Sequence, residues 1–229
     1  MTQTIFADSR AATSSNFFGK TMAYFALALA SAAGGVFAGI YLLPTGLVSD
    51  PEFLLIMSVL TLILIFTAKK WSRLSFGYLF LILFTGILGL TLVPLLAYAT
   101  LTAGFSVLGK ALIASVSMFA GMAFFGFTTR KDLTGLGGFL IASLIGMIVV
   151  SLVTLILSFF GISVWSSGIE LIFSGFGILI FAGFTAYDFQ KIKSQEGIIS
   201  PIQASISLFL DFILLFEYIL RFMTALSRR

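Results

Sequence analysis

The stretch Ser207-Leu208-Phe209-Leu210-Asp211-Phe212-Ile213-Leu214-Leu215-Phe216-Glu217 sets a carboxylate inside an apolar run. A second stretch, Gly183-Phe184-Thr185-Ala186-Tyr187-Asp188-Phe189-Gln190-Lys191-Ile192-Lys193, ends another apolar run on an aspartate. An acid at the centre of a membrane helix costs roughly 2.5–3.5 kcal/mol even on the lenient insertion scale, so Asp188 and Asp211 need a reason to be there. The runs around them decide the class. Of 229 residues, 59% are hydrophobic and 10% charged, whereas soluble domains carry about 25% charged residues. Apolar stretches of about 20 residues follow one another, each long enough to cross a bilayer. Period-two alternation is absent, so helices are predicted rather than a barrel. The expectation is an all-α polytopic membrane protein with no separate soluble domain.

Seven spans are predicted in order. A polar tail, 1–20, precedes a membrane domain, 21–222, and a short basic tail, 223–229, follows. The first span covers about 21–43 and carries a small-residue ridge, Ala26, Ala30, Gly34 and Ala38, of the kind that lets helices approach closely. The others fall at about 53–68, 76–98, 106–127, 136–160, up to 187, and 202–222. Pro94 should kink the third span or mark its end. Ser200-Pro201 has the form of an N-cap followed by proline in the first helical position. With a cytoplasmic N-terminus, Arg10, Lys20, Lys69, Lys70, Arg73, Arg130, Lys131, Lys191 and Lys193 all fall inside, and Lys110 alone among the loop residues falls outside. That bias is the positive-inside pattern. Arg221, Arg228 and Arg229 oppose it if the last span crosses fully.

The chain has neither Cys nor His. Thiolate chemistry and disulfides are therefore excluded, and any response near neutral pH falls to carboxylates. The net charge of +4 resides at helix ends and does not point to nucleic acid. Thr185 shares a helical face with Asp188, and Gln203, Ser207 and Asp211 form a polar stripe at i, i+4 and i+8. Asp211 lies about 15 Å along the last span at 1.5 Å per residue. If the two aspartates meet, they share a proton and titrate as a pair. Glu217 and Arg221, at i and i+4, are expected to pair with each other. Lys69, Lys70 and Arg73 are interface anchors, or a latch reaching back to Asp188. A faint echo relates Ser117-x-Phe119…Phe124-x-Gly126-Phe127-Thr128 to Ser174-x-Phe176…Phe181-x-Gly183-Phe184-Thr185 at constant offset.

At these residues the chain resembles the Bax inhibitor-1 (transmembrane BAX inhibitor motif) family, in particular its bacterial members. Thr185-Ala186-Tyr187-Asp188-x-Gln190-Lys191-Ile192-Lys193 is similar to that family's end of helix six. Ser207 to Phe216, followed by Leu220-Arg221, is similar to helix seven, and Thr128-Thr129-Arg130-Lys131-Asp132-Leu133 to the link after helix four. The resemblance implies six helices around a central seventh. It also implies a pH-sensitive calcium leak gated by the pair Asp188 and Asp211. Some bacterial relatives latch one aspartate with an arginine at the inner end of helix two. Here Lys69 and Lys70 occupy roughly that place and Arg73 lies further on; a lysine lacks the planar fork.

The leading expectation is thus a non-enzymatic, proton-regulated Ca²⁺ leak in a bacterial inner (plasma) membrane. Calcium takes six to eight oxygen ligands, so Asp188 and Asp211 make a weak metal site suited to transit, and no cofactor is expected. The expected partners are the bilayer, Ca²⁺ and protons. A second reading is a membrane interaction protein that modulates stress response or quality control by binding another membrane protein. A third is an intramembrane aspartyl protease. Presenilin-like enzymes carry Gly-x-Gly-Asp on their second helix, and this chain departs from that pattern with Leu208-Phe209-Leu210-Asp211.

Overall fold

The computed structural model describes residues 2–42, 44, 56, 60, 63, 64, 67, 76–162, 166–194 and 199–228. They form six helices and no strand: α1, Thr2–Leu42; α2, Gly77–Ala103; α3, Ser106–Thr128; α4, Thr134–Phe159; α5, Ser167–Ser194; and α6, Pro201–Ser227. The first five are long and apolar enough to cross a membrane. In α6, Asp211, Glu217 and Arg221 interrupt the apolar sequence. The predicted span 53–68 lies outside the described residues, apart from Ile56, Leu60, Ile63, Leu64 and Thr67. Lys69, Lys70 and Arg73 also lie outside them.

Two helices run past their predicted ends. Pro94 sits inside α2, which runs on to Ala103, so of the two expectations for this proline it does not mark the helix end. A proline in a membrane helix is tolerated because neighbouring groups re-satisfy the backbone it frees. Helix α5 continues through Lys191 and Lys193 to Ser194, past the predicted end at 187. Lysine is a good helix former, and its charge suits a helix C-terminus. The cap at Ser200 forms as expected: its hydroxyl oxygen accepts from the Gln203 N–H at 3.1 Å.

The described residues divide into two compact units. One comprises 1–94 with 192–209, the other 95–191 with 210–229. In the first, α1 and α2 meet through small residues. A Cβ at Gly35 would overlap the Gly86 carbonyl, and one at Gly89 would overlap the Ala32 carbonyl. The Ser31 hydroxyl donates to the Ile82 carbonyl at 2.7 Å across the same contact. This is the small-residue logic of membrane packing, in which helices gain by close approach because lipid is as apolar as leucine. The packing face is Ala28, Ala32 and Gly39, all buried, and not the neighbouring ridge. Ala26, Ala30, Gly34 and Ala38 are all exposed.

The second unit holds α3, α4, α5 and most of the charged end of α6. Helix α4 buries Gly137, Leu140 and Met147 on one stripe and exposes most of its other described side chains, as a lipid-facing helix does. Leu140, Met147 and Ile180 make a core cluster with Phe173, Phe184, Tyr187 and Tyr218. Helix α6 is different, because no residue from Pro201 to Leu220 is exposed. Buried hydroxyls throughout donate to their own helix four residues back, as Thr85 does to Leu81 (2.8 Å), Ser115 to Ala111 (2.6 Å) and Thr224 to Leu220 (2.8 Å). In a membrane such bonds satisfy a donor that water cannot reach.

The α1–α2 contact is testable. Gly89→Ala places a methyl against the Ala32 backbone and should cost about 1–3 kcal/mol, the usual penalty for overpacking. The thermal midpoint of the purified protein in detergent should fall accordingly, whereas Gly34→Ala, on the exposed ridge, should leave it unchanged.

Candidate acidic site

Both aspartates fall in the second unit, one on α5 and one on α6. These helices run antiparallel, and their contacts fix the register. A Cβ at Gly175 would touch the Phe222 ring at 3.5 Å, and Gly177 lies against the Tyr218 ring. Tyr218 also stacks on Phe181 with centroids 5.6 Å apart. Eleven residues back from Phe222 is Asp211, and eleven on from Gly175 is Ala186. Asp211 is therefore level with the Thr185–Asp188 turn.

Asp211 is 5% exposed, and its Oδ2 has no hydrogen-bond partner among the described residues. Asp188 is half-buried. A buried carboxylate oxygen without a donor is costly, so this atom is the least satisfied polar group of the site.

The residue following each aspartate helps to hold the pair. Phe189 and Phe212 both meet Phe119 of α3 edge-on, with centroids 5.7 and 5.4 Å away. Such edge-to-face pairs are worth about 0.5–1.5 kcal/mol beyond burial. One ring on α3 thus braces α5 and α6 at the level of the acids. Close by, a Cβ at Gly126 would overlap the Ala186 carbonyl, so α3 and α5 touch backbone to backbone within two residues of Asp188.

Gln190 locks the same end. Its Oε1 accepts from the Leu133 N–H at 2.7 Å, and its Nε2 donates to the Lys131 carbonyl at 2.7 Å. One side-chain amide thereby ties the end of α5 to the α3–α4 link. Asp132, in that link, accepts from the Thr134 N–H at 2.9 Å and from its hydroxyl at 2.5 Å. The Thr134 hydroxyl, then its amide, hold the Asp132 carboxyl below its ordinary value of 3.8. The sign follows: the cap's contribution is complete above about pH 3.8 and is lost as pH falls toward the depressed value.

Of the other expected residues, Thr185 is fully buried and donates to the Phe181 carbonyl at 2.8 Å, so its proton is committed to its own helix. Gln203 and Ser207 are half-buried and belong to the first unit. Lys191 Nζ lies over the Tyr187 ring, 5.7 Å from its centroid. Glu217 and Arg221 pair at 3.9 Å, as the i, i+4 spacing predicts. No cluster of three or more potential metal ligands occurs among the described residues.

Gln190, Phe119 and Gly126 are positioning residues that sequence reasoning did not single out. Gln190 stood in the family-like stretch, and the other two stood in the internal echo. Its two threonines bond alike, Thr128 to the Phe124 carbonyl at 2.7 Å and Thr185 to that of Phe181 at 2.8 Å.

Apolar helices that carry a buried Asp211 and a half-buried Asp188 define a polytopic helical membrane protein with two acids within its helices. The chain matches the family described as inhibitor of apoptosis-promoting Bax1 over residues 14–228, and it belongs to that family. It is 30% identical to a Campylobacter jejuni protein over 227 residues, covering 98% of this chain and 94% of that one. It is 30% identical to inner membrane protein YbhL of Escherichia coli K12, covering 73% and 71%. A Borreliella burgdorferi protein is 41% identical over 114 residues, and that match spans 46% of each chain.

Removing the Gln190 amide should loosen the α3–α4 link. Gln190→Leu leaves the Leu133 N–H and the Lys131 carbonyl without their partner, at a cost of about 1 kcal/mol. Hydrogen exchange at the Leu133 amide should accelerate, while amides in the middle of α5 keep their protection.

Proposed function

We propose that this protein is a pH-sensitive cation leak, with Ca²⁺ as the permeant ion and the pair Asp188 and Asp211 as its proton switch. The observation that carries this reading is the buried Asp211 oxygen without a donor among the described residues, level in the helix register with the Thr185–Asp188 turn. Two carboxylates so placed repel when both are ionised, so one proton shared between them stabilises the closed arrangement. Losing that proton, or separating the pair, leaves oxygens that attract a divalent cation. Two aspartates with nearby carbonyls make a weak site, which suits passage rather than storage. Lys69, Lys70 and Arg73 are proposed as competitors for Asp188 from the end of the second span. Thr185, Gln203 and Ser207 supply supporting oxygens, and no cofactor or bond-breaking chemistry is involved.

The same proposal includes seven helices with α6 at the centre, an N-terminus in the cytoplasm and residence in the bacterial inner membrane. The burial of α6 from Pro201 to Leu220 supports the central position. The name of the E. coli relative supports the location.

A second reading, an interaction protein acting on another membrane protein, is favoured by the exposed ridge Ala26, Ala30, Gly34 and Ala38. A stoichiometric membrane partner lost on Gly34→Leu, with no flux from the isolated protein, would select it.

The leak reading is tested by Ca²⁺ entry into proteoliposomes across a series of pH values. The wild type should show flux that varies with pH, and Asp211→Asn should abolish that variation. Flux and pH profile both unchanged in Asp211→Asn would refute the switch.

A further inference from the structure

At the end of the second unit opposite the aspartates, α2 turns into α3 beside the last turns of α6. A cavity of about 160 Å³ opens there, well above a single water's share of about 30 Å³. Val107, Met223 and Leu226 line it with apolar surface, and Ser106, Lys110 and Ser227 supply its polar groups. The charges at this end are unequally matched. Arg228 is bonded to Glu170 and lies over the Tyr98 ring, 5.7 Å from its centroid. Glu217 is taken by Arg221. Lys110 is exposed, and no carboxylate among the described residues pairs with it. The Ser227 hydroxyl donates to the Met223 carbonyl at 2.9 Å, which leaves Lys110 and Ser106 as the lining residues with side-chain donors to offer.

We propose that this cavity seats the headgroup of an anionic phospholipid, with the phosphate on Lys110 and Ser106. Three features choose that occupant. The cavity opens at the end of membrane-spanning helices, where headgroups lie. Its positive charge is uncompensated by the described residues, which an anionic ligand completes and a zwitterionic one matches less well. Its apolar walls suit the glycerol and first methylenes of a lipid, and the surface of α3 beside it continues apolar and open, with Phe105 and Ile113 exposed at 78% and 70%. A free phosphate ion would use the donors and leave the walls unoccupied. The site is independent of the acidic pair, so its test does not depend on any flux.

The experiment is native mass spectrometry of the full-length protein, delipidated and titrated with phosphatidylglycerol or phosphatidylcholine. One phosphatidylglycerol should be retained in preference to phosphatidylcholine. In Lys110→Gln its affinity should fall about five-fold, the worth of one lysine at an anionic surface. Lys20→Gln, which removes an exposed lysine elsewhere, should leave binding unchanged. Leu226→Trp, which fills the cavity and keeps the Lys110 charge, should weaken binding as Lys110→Gln does. Equal retention of the two lipids, unchanged binding in Lys110→Gln or in Leu226→Trp, or an equal loss in Lys20→Gln would each overturn the proposal. Displacement of the lipid by millimolar inorganic phosphate would overturn the choice of lipid in favour of the free ion.

Discussion

A carboxylate inside a membrane protein must be enclosed, and much of this fold follows from enclosing Asp211. Hydrocarbon offers the group no hydrogen bond, and even a modest insertion penalty exceeds what a single helix contact returns. Helix α6 carries Asp211, Glu217 and Arg221, and from Pro201 to Leu220 it presents no exposed residue. The contrast with α4 is instructive. Rich in leucine and isoleucine and free of charge, α4 buries one narrow stripe and leaves the rest to lipid.

Enclosure requires helices to come close, and the glycines set how close. Gly126 against Ala186, and Gly177 against the Tyr218 ring, leave no room for a side chain. Larger residues then complete the fit: Phe119 braces the two phenylalanines that follow the aspartates, and Gln190 joins the end of α5 to the α3–α4 link. The acids are therefore held by neighbours that are neither acidic nor basic. Such a frame braces the two helices at this level and leaves one Asp211 oxygen without a donor among the described residues.

Much of this was legible in the sequence because the relevant signals are local. Continuous apolar runs gave the helices and the membrane class, an acid in such a run drew attention to Asp188 and Asp211, and spacing alone paired Glu217 with Arg221. The Ser200 cap was equally plain. The family resemblance, carried by two aspartate stretches and one link, agrees with the match over 14–228. What the sequence concealed was the choice among equivalent partners. Two faces of α1 are built of alanine and glycine at nearly the same spacing. Only the one with Ala32 and Gly35 meets α2, because Gly86 and Gly89 supply matching notches. The Gln190 clamp and the Glu170–Arg228 pair join residues more than fifty apart. Propensity and periodicity carry no information about which distant groups come together, since packing settles that.

The Glu170–Arg228 pair also bears on the difficulty raised by the C-terminal arginines. A bare arginine on the side of the membrane disfavoured by the positive-inside rule would argue against a full crossing by the last helix. Arg228 is not bare: Glu170, in the first turn of α5, neutralises it, and Tyr98 offers its ring face. Arg221 is offset by Glu217 one turn away. Two of the three dissenting charges are thus balanced within the protein before the membrane is considered. The antiparallel register that sets Asp211 beside the Thr185–Asp188 turn also carries Arg228 to the start of α5. One helix pair therefore places its acids at one end and its neutralised arginine at the other. Pairing of this kind lowers the cost of carrying an arginine at that end of the helix, while the rule itself still counts the arginine.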